Sequence, residues 1–283
     1  MDVAQRAALV AANPAIFKAD IAGRALVIGG IAAGIALFVY GVISLDVSWT
    51  RILGGFGELG KFVLLMLPPS PGSLARFWIY LESLGQTLAI AFLGTLLAAV
   101  IAMPLGFMAA RNVIPSWIFR FTTRRFMDTI RSVDTLIWAL IWINVVGLGP
   151  FAGILAIMTS DIGAFGKLFS EAIEAADRKP VEGVTSVGAN KVHAVRFGLL
   201  PQVLPVMASQ VLYYFESNTR SATIIGIVGA GGIGMHLYEQ IKILEWQQVS
   251  FLVLMVLAAV SVIDVISARL RFAVIGTTTP AAP

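Results

Sequence analysis

The chain has 283 residues, of which 58% are apolar and only 13% charged, and its mean hydropathy is +0.87. Soluble domains carry about 45–50% apolar and about 25% charged residues, so the composition excludes an ordinary soluble enzyme and indicates an integral membrane protein. The lack of cysteine and the presence of only two histidines exclude disulfide frameworks and the usual zinc sites. We therefore expect no metal or other cofactor on this chain.

Six apolar stretches are long enough to form spanning helices, each of which needs about 20 residues. They lie at about 24–45, 84–110, 126–146, 151–170, 202–228 and 249–268. The sequence therefore predicts an all-α integral membrane fold with about six transmembrane helices.

The basic residues are distributed unevenly between the two sides that these spans define. One side receives only Arg51, Lys61, Arg76 and Lys242, Arg220 falls inside the fifth span, and the remaining basic residues flank the other side. The positive-inside rule then predicts a multi-pass cell-membrane protein with both termini in the cytoplasm. This bias accounts for the net charge of +4 without a nucleic-acid partner.

The chain before the second span is predicted to form a region distinct from the main membrane domain. Residues 1–80 should form an N-terminal tail, the first transmembrane helix and an external segment whose apolar stretch stops at Pro68 and Pro69. That stretch is too short to cross the membrane, so an interfacial or re-entrant helix is expected. Residues 81–271 should form the main membrane domain, and residues 272–283 a flexible C-terminal tail.

The segment at about 171–201 is the most charged part of the chain and lies on the predicted cytoplasmic side. Gly188 interrupts an amphipathic pattern there, so two short helices that meet at an angle are expected. Pro201 should mark the start of the fifth span, because proline disfavours helix in the preceding residue. The apolar residues at helical spacing are Val184, Val187, Val192, Val195 and Leu199. This pattern alone fits an ordinary surface helix equally well.

The spacing within this segment resembles the EAA loop of ABC-importer permeases, E-A-A-x3-G-x9-I-x-L-P. In that family the loop is a coupling helix that docks in a groove of the cytoplasmic ATPase. Two departures are visible, since Gly183 and Val184 replace the two alanines and Gly198 replaces the isoleucine. The residues that the resemblance assigns to an ATPase-coupling loop are Glu182, Gly183, Gly188, Ala189, Leu200 and Pro201.

A wider resemblance covers about half of the chain, from about residue 131 to 271. The stretches "GLGPFAG", "GKLFSEAIE" and "RSAT" followed after five residues by "GAGGIG" resemble the permease of phosphonate-type importers (PhnE-like). One departure is "RSVDTL" at 131–136 in place of RSIPEL, which removes a proline kink. The resemblance implies a type I importer (MetI-like) core that takes up phosphonate, phosphate or a related phosphorus oxyanion.

The same resemblance implies the partners of the chain. Two permease copies would form a homodimer in the lipid bilayer, two cytoplasmic ABC ATPase subunits would bind ATP and Mg²⁺, and an extracytoplasmic binding protein would deliver the substrate. The chain itself has no G-x-x-x-x-G-K-[ST] motif and no Ser-His-Asp set. It is therefore predicted to be a transporter subunit, with the ATPase activity on a partner.

The fifth span contains an unusual number of polar residues. Glu216 and Arg220 are four residues apart and share a helix face, so each can neutralise the other inside the membrane. A purely structural ion pair and a translocation path both fit this pattern. In the second reading, Arg220 is held by Glu216 and supplies a weak positive potential for an oxyanion. The candidate path residues are Glu216, Asn218, Thr219, Arg220, Ser221 and Thr223.

A G-x-G-x-x-G motif follows the fifth span and also matches a dinucleotide-binding turn. That hypothesis requires an acid about twenty residues further on and a second βαβ half, and the chain offers neither. The predicted position is instead the external face, where the glycines form either a gate or a plain tight turn. The outer gate candidates are Gly229, Gly231, Gly232 and Gly234.

Three functions other than a phosphorus-oxyanion importer can be compared with the sequence. A type I importer permease for another solute such as methionine remains open, because the coupling loop and "GAGGIG" also occur in such permeases. A membrane oxidoreductase that uses Gly229–Gly234 is a remote alternative. A secondary transporter is disfavoured, because no internal repeat is found in the sequence.

Overall fold

The computed structural model describes residues 21–45 and 48–276, and every regular element within these ranges is helical. The chain divides into two compact units between Leu64 and Leu65. The predicted N-terminal tail and the last residues of the predicted C-terminal tail, 277–283, lie outside the described residues.

The first unit contains α1 (Ile21–Ser44) and all but the last residue of α2 (Trp49–Leu65). The 24 residues of α1 are long and apolar enough to cross a membrane. In contrast, α2 has only 17 residues and forms inside the segment where a short external helix was expected. Its side chains are exposed, and Lys61 pairs with Glu58 at 2.7 Å. The interfacial position of α2 stays a prediction.

The second unit contains the helices that carry the candidate sites. They are α3 (Leu74–Ala109), α4 (Trp117–Arg131), α5 (Thr135–Val146), α6 (Pro150–Ala175), α7 (Arg178–Ser186), α8 (Lys191–His193), α9 (Leu200–Ile225), α10 (Ile233–Lys242) and α11 (Trp246–Gly276). Two π-helical segments, Ala194–Leu199 and Gly226–Ala230, flank α9.

The prediction of about six transmembrane helices is confirmed. In the described ranges, five helical segments are long and apolar enough to cross a membrane: α1, α3, α6, the continuous stretch from α8 through the second π segment, and α11. A sixth results if α4 and α5 together form one span.

The predicted third span, 126–146, was wrong as a continuous helix. The chain bends by 85° between α4 and α5. The Asp134 carboxylate accepts a hydrogen bond from the Leu136 amide at 2.8 Å and caps the start of α5. An Asp at this position satisfies a free amide of the first turn and so favours a helix start in the middle of the stretch. The bend thus forms although the family proline is absent.

The centre of the second unit is the pair α3 and α6, which has the most extensive contacts of any two helices. Small residues allow this close packing: a Cβ at Gly94 would lie 2.8 Å from the Ile157 side chain, and one at Gly106 would lie 2.7 Å from Phe169 Cβ. The next helix in the centre is α9, which packs against α3, α6 and α11. The polar residues of the fifth span therefore enter a three-helix junction.

The helix α3 is longer than predicted and, with 36 residues, is the longest α-helix described in the second unit. It begins ten residues earlier than the predicted second span, at the Ser73 cap, and continues through Pro104. Its 36 residues span about 54 Å at 1.5 Å per residue, which exceeds the roughly 30 Å hydrocarbon core. The helix α3 is therefore longer than a perpendicular crossing of the hydrocarbon requires.

Candidate functional site

The predicted coupling loop forms two helical segments joined by a tight turn, as its sequence indicated. Glu182 and Gly183 are exposed on α7, whereas Gly188 and Ala189 follow the end of that helix. Gly188 has a φ of +83°, a conformation that costs side-chain-bearing residues free energy. The helix break at Gly188 is confirmed, but only α7 is a short separate helix, because α8 continues through the first π segment into α9.

The turn is stabilised by caps at both helix starts. The Asp177 carboxylate accepts from the Lys179 amide at 3.1 Å at the start of α7. The Asn190 side-chain oxygen accepts from the His193 amide at 2.9 Å at the start of α8. Each cap satisfies an amide that has no partner within its helix, so the sequence fixes where both helices begin.

Gly198 holds the loop against the bundle. A Cβ at this position would lie 2.8 Å from Val181 Cα and 3.2 Å from the Pro180 carbonyl oxygen, so only glycine allows α7 to approach the π segment this closely. The departure from the family isoleucine at Gly198 therefore has a packing reason in this chain.

Pro201 lies in the first turn of α9, at the predicted start of the fifth span, but the helical chain does not break there. Leu200 has helical dihedral angles (φ −56°, ψ −42°), and the chain stays helical from α8 into α9. The π segment Ala194–Leu199 ends directly before Pro201, where the hydrogen-bond spacing already changes. The missing amide hydrogen of proline is tolerated in the first turn of α9, where such hydrogens lack partners within an α-helix.

The predicted apolar face of the loop is divided between the bundle and solvent. Leu199 is buried and Val195 is partly buried against the central core. Val187 and Val192 are 83% and 74% exposed. Exposed valines of this kind suit contact with another protein more than with water.

A buried polar cluster lies at the junction of α3, α6 and α9. The Asn218 amide donates to Thr95 Oγ1 at 2.8 Å and to Asp161 Oδ2. Asp161 is 5% exposed, and no basic side chain in the described part of the chain pairs with it. Because buried polar groups need partners, these bonds fix the relative positions of the three helices.

The Glu216 and Arg220 pair forms as the sequence predicted, with 3.3 Å between Arg220 Nη1 and Glu216 Oε1. Glu216 Oε2 also lies 3.5 Å from Arg271 Nη2 of α11, and that guanidinium lies 4.0 Å from Asp264 Oδ1. The Glu216 side chain is only 12% exposed, but that of Arg220 is 51% exposed. Arg220 therefore has donors free for a further partner.

The candidate path residues do not share one surface. Asn218 and Arg220 are two positions apart, so they lie on nearly opposite sides of α9. Asn218, Thr219 and Thr223 are buried, and the two threonine hydroxyls donate to carbonyl oxygens one turn earlier in the same helix. Ser221 is partly buried and makes a long bond of the same kind, 3.5 Å. Arg220 is thus the exposed member of the set.

Sequence reasoning missed Asp161, Thr95 and Arg271. An acid within the apolar helix α6 was a signal, because ionisable residues inside spans are costly and mark functional or structural sites. Thr95 and Arg271 carry no such signal. Their roles depend on which helices become neighbours.

The glycine motif lies in a compact turn between α9 and α10. Three of its residues, Gly229, Gly231 and Gly232, have φ between +73° and +105°, as expected for a sharp exit from a helix. The Gly232 amide donates to Gln86 Oε1, and the Ile233 amide donates to Thr87 Oγ1, both at 2.8 Å. The turn is therefore attached to α3.

The same turn also packs closely against the backbone of α9 and against the residues at the start of α6. A Cβ at Gly234 would lie 2.0 Å from the Thr223 carbonyl oxygen, and one at Gly231 would lie 3.0 Å from Pro150. The Gly149 amide donates to the Gly229 carbonyl oxygen at 3.0 Å. The residues before the motif are helical, so the motif lacks the strand that a dinucleotide-binding turn follows.

Comparison with known proteins places this geometry in a family. Residues 102–275 match the model of the binding-protein-dependent transport system inner membrane component. HtxC of Stutzerimonas stutzeri, named for phosphite transport, is 40% identical over 233 residues, which are 82% of this chain and 81% of that protein. The phosphite transport system permease protein PtxC of the same organism is 35% identical over 84% of this chain and 88% of its own length.

A solved structure shares the fold at a lower level of sequence identity. A chain of the MetNI methionine ABC transporter, in an inward-facing conformation, superposes with a TM-score of 0.62 at 21% identity. The superposition covers 71% of this chain and 99% of that one. It confirms the MetI-like core that the sequence predicted.

The family model covers most of the second unit, and two relatives align over more than four fifths of the chain. This protein therefore belongs to the binding-protein-dependent transport system inner membrane component family.

Proposed function

We propose that the chain is the permease subunit of an ABC importer that takes up phosphonate, phosphate, phosphite or a related phosphorus oxyanion. The observation that carries this proposal is the likeness over most of the chain to two permeases named for phosphite transport. Phosphite, phosphate and phosphonates share negatively charged oxygens on a tetrahedral phosphorus. Arginine recognises this type of oxygen well, because its planar guanidinium can donate two parallel hydrogen bonds.

Arg220 is the proposed contact for the passing anion. Its partner Glu216 is shared with Arg271, which also lies 4.0 Å from Asp264, so the Glu216 carboxylate is divided between two guanidinium groups and neutralises Arg220 only in part. The half-exposed Arg220 side chain lies on the face of α9 that turns away from the buried Asn218. A weak, partly neutralised cation suits a transport path, because tight binding would prevent release of the substrate.

The loop from Glu182 to Pro201 is the proposed contact with the ATPase. Its exposed valines and its rigid attachment to the bundle through Gly198 would let a motion of the ATPase move α9 directly, because the π segment continues into that helix. The proposed assembly has two ATPase subunits that bind ATP and Mg²⁺, two copies of this chain and an extracytoplasmic substrate-binding protein. The glycines 229–234 are the proposed outer gate.

The substrate is tested in the reconstituted assembly. We would co-express the chain with the ATPase and binding protein encoded beside it, and measure ATP hydrolysis in proteoliposomes with phosphate, phosphite, several phosphonates and methionine. The proposal predicts stimulation by at least one phosphorus oxyanion. Stimulation by methionine alone would support the second candidate substrate and contradict the first.

The role of Arg220 is tested by uptake in the same vesicles. We expect Arg220→Gln to reduce uptake of the stimulating oxyanion at least tenfold and Arg220→Lys to reduce it less, because lysine keeps the charge but not the paired donors. Arg269→Gln, which removes an exposed arginine of α11, is the matched control. Equal uptake by Arg220→Gln and the control would refute the contact.

A further inference from the structure

A cavity of about 720 Å³ lies between the end of α3 and the coupling loop. Met103 and Phe107 of α3, Val113 after it, and Val195 and Leu200 at the start of the fifth span form its apolar wall. These five side chains pack on the central core, so the wall is part of the fold and not a surface that forms on binding. Sites for small organic molecules usually have volumes of about 300–1,000 Å³.

Two cations also line this cavity. Lys191 and Arg196 are exposed, and none of the described residues that line the cavity is acidic. The acids of the loop, Asp177 and Glu182, line an adjoining cavity of about 320 Å³, which shares Val195 and other lining residues with this one. The Arg196 guanidinium makes a cation–π contact with the neighbouring Phe197, and its central carbon lies 5.4 Å from the centroid of that ring. The cavity therefore combines an apolar wall with a positive potential at its edge.

The predicted second span ends at about residue 110, so we expect the cavity at the inner boundary of the bilayer. Phe107 and Met103 lie two and six residues before the end of α3, which is about 3 Å and 9 Å along the helix axis. The positive-inside rule assigns this end of α3 to the cytoplasmic side. A ligand here would meet water and basic side chains at one end and hydrocarbon at the other.

We propose that this cavity binds an anionic phospholipid of the cytoplasmic leaflet, with its headgroup at Lys191 and Arg196 and part of an acyl chain against Met103 and Phe107. Basic pockets between membrane helices on the cytoplasmic side bind anionic lipid headgroups. A free phosphate ion would gain nothing from the apolar wall, and a neutral lipid would gain little from the two cations. The lipid would lie between α3 and the coupling loop, two parts of the chain that the proposed transport cycle moves.

The test uses the purified full chain in detergent and native mass spectrometry with added dioleoylphosphatidylglycerol or dioleoylphosphatidylcholine. We expect retention of one phosphatidylglycerol per chain and much weaker retention of phosphatidylcholine. The double variant Lys191→Gln and Arg196→Gln should bind phosphatidylglycerol roughly 30-fold more weakly, because each basic side chain near an anionic lipid adds roughly fivefold in affinity. The matched control is Arg178→Gln with Lys179→Gln, which removes two charges of the same loop outside the cavity.

A second variant tests the apolar part of the cavity. Thr185→Trp places a large ring into the cavity from an exposed position of α7, so it should displace the lipid without removing a charge. Equal retention of the two lipids by the unmodified chain would overturn the proposal. Unchanged binding in both test variants, or displacement of the lipid by inorganic phosphate, would also overturn it. Loss of the lipid when the ATPase binds would identify the cavity as part of the protein interface instead.

Discussion

At the scale of single residues, the second unit depends on a few polar groups that replace water inside the bundle. Asn218 joins three helices, because its one amide group donates to both Asp161 and Thr95. The described helices around Asp161 provide no basic side chain that pairs with its carboxylate. Removal of the amide therefore leaves a buried acceptor without its donor, which costs more than the hydrogen bond itself contributes.

The first prediction concerns this cluster. Asn218→Leu should lower the free energy of unfolding by about 1–3 kcal/mol, because Asp161 loses its donor. The double variant Asp161→Leu with Asn218→Leu should be more stable than Asn218→Leu alone, because removal of both partners leaves no unsatisfied group. SDS titration in mixed micelles measures both values. A double variant less stable than Asn218→Leu would contradict the assignment.

The second prediction concerns Gly234, where helix propensity and packing act in opposite directions. Alanine favours an α-helix over glycine by about 1 kcal/mol, but a Cβ here would lie 2.0 Å from a backbone oxygen. We expect Gly234→Ala to destabilise the protein by about 1–3 kcal/mol or more, because the helices must separate. Gly85→Ala on α3 has nothing within 4 Å and should be neutral or stabilising. Thermal unfolding in detergent compares the two; the same sign in both would contradict the packing.

At the scale of elements, the sequence predicted helices better than their junctions. The apolar stretches were sufficient to predict α3, α6 and α11 as spanning helices, because composition and length decide which helices can cross a membrane. The bend between α4 and α5 was missed, because Asp134 was read as a residue within a continuous span although aspartate is a strong helix cap. The continuous helix through Pro201 was missed, because the π segment that permits it depends on packing and not on composition.

The third prediction concerns the attachment of α7. Gly198→Ile restores the residue typical of the family, but it should displace α7, because the nearest atoms belong to the backbone of Val181 and Pro180. We expect lower thermal stability and less substrate-stimulated ATP hydrolysis in the assembled transporter. Val181→Ala added to Gly198→Ile should not restore either property, since it leaves those backbone atoms in place. Full rescue by Val181→Ala would show that the contact is made by a flexible side chain.

At the scale of the whole molecule, the family and the MetI-like core could be predicted from motifs because their glycines and prolines lie at fixed spacing. The contacts that organise the candidate path could not be predicted this way. Arg271 meets Glu216 although the two are 55 positions apart, and Thr95 meets Asn218 across 123 positions. No local pattern encodes such pairs, because they depend on which helices pack together.

The fourth prediction concerns the sidedness of the chain. The distribution of basic residues predicts that the coupling loop lies in the cytoplasm and the turn after α10 outside. The chain has no cysteine, so single cysteines at exposed positions report sidedness without background. A membrane-impermeant maleimide should label Val187→Cys only in inverted vesicles and Ile243→Cys only in right-side-out vesicles. The reverse pattern would invert the topology.

The central claim is that the loop from Glu182 to Pro201 transmits the motion of an ATPase to the membrane helices. The most direct measurement attaches a benzophenone maleimide to Val187→Cys in the co-expressed assembly and follows photo-crosslinking to the ATPase, with Ile243→Cys as the matched control. The account predicts a crosslink from Val187→Cys whose yield changes when ATP is hydrolysed, and none from Ile243→Cys. A Val187→Cys protein that remains in the assembly but gives no crosslink to the ATPase would contradict the account.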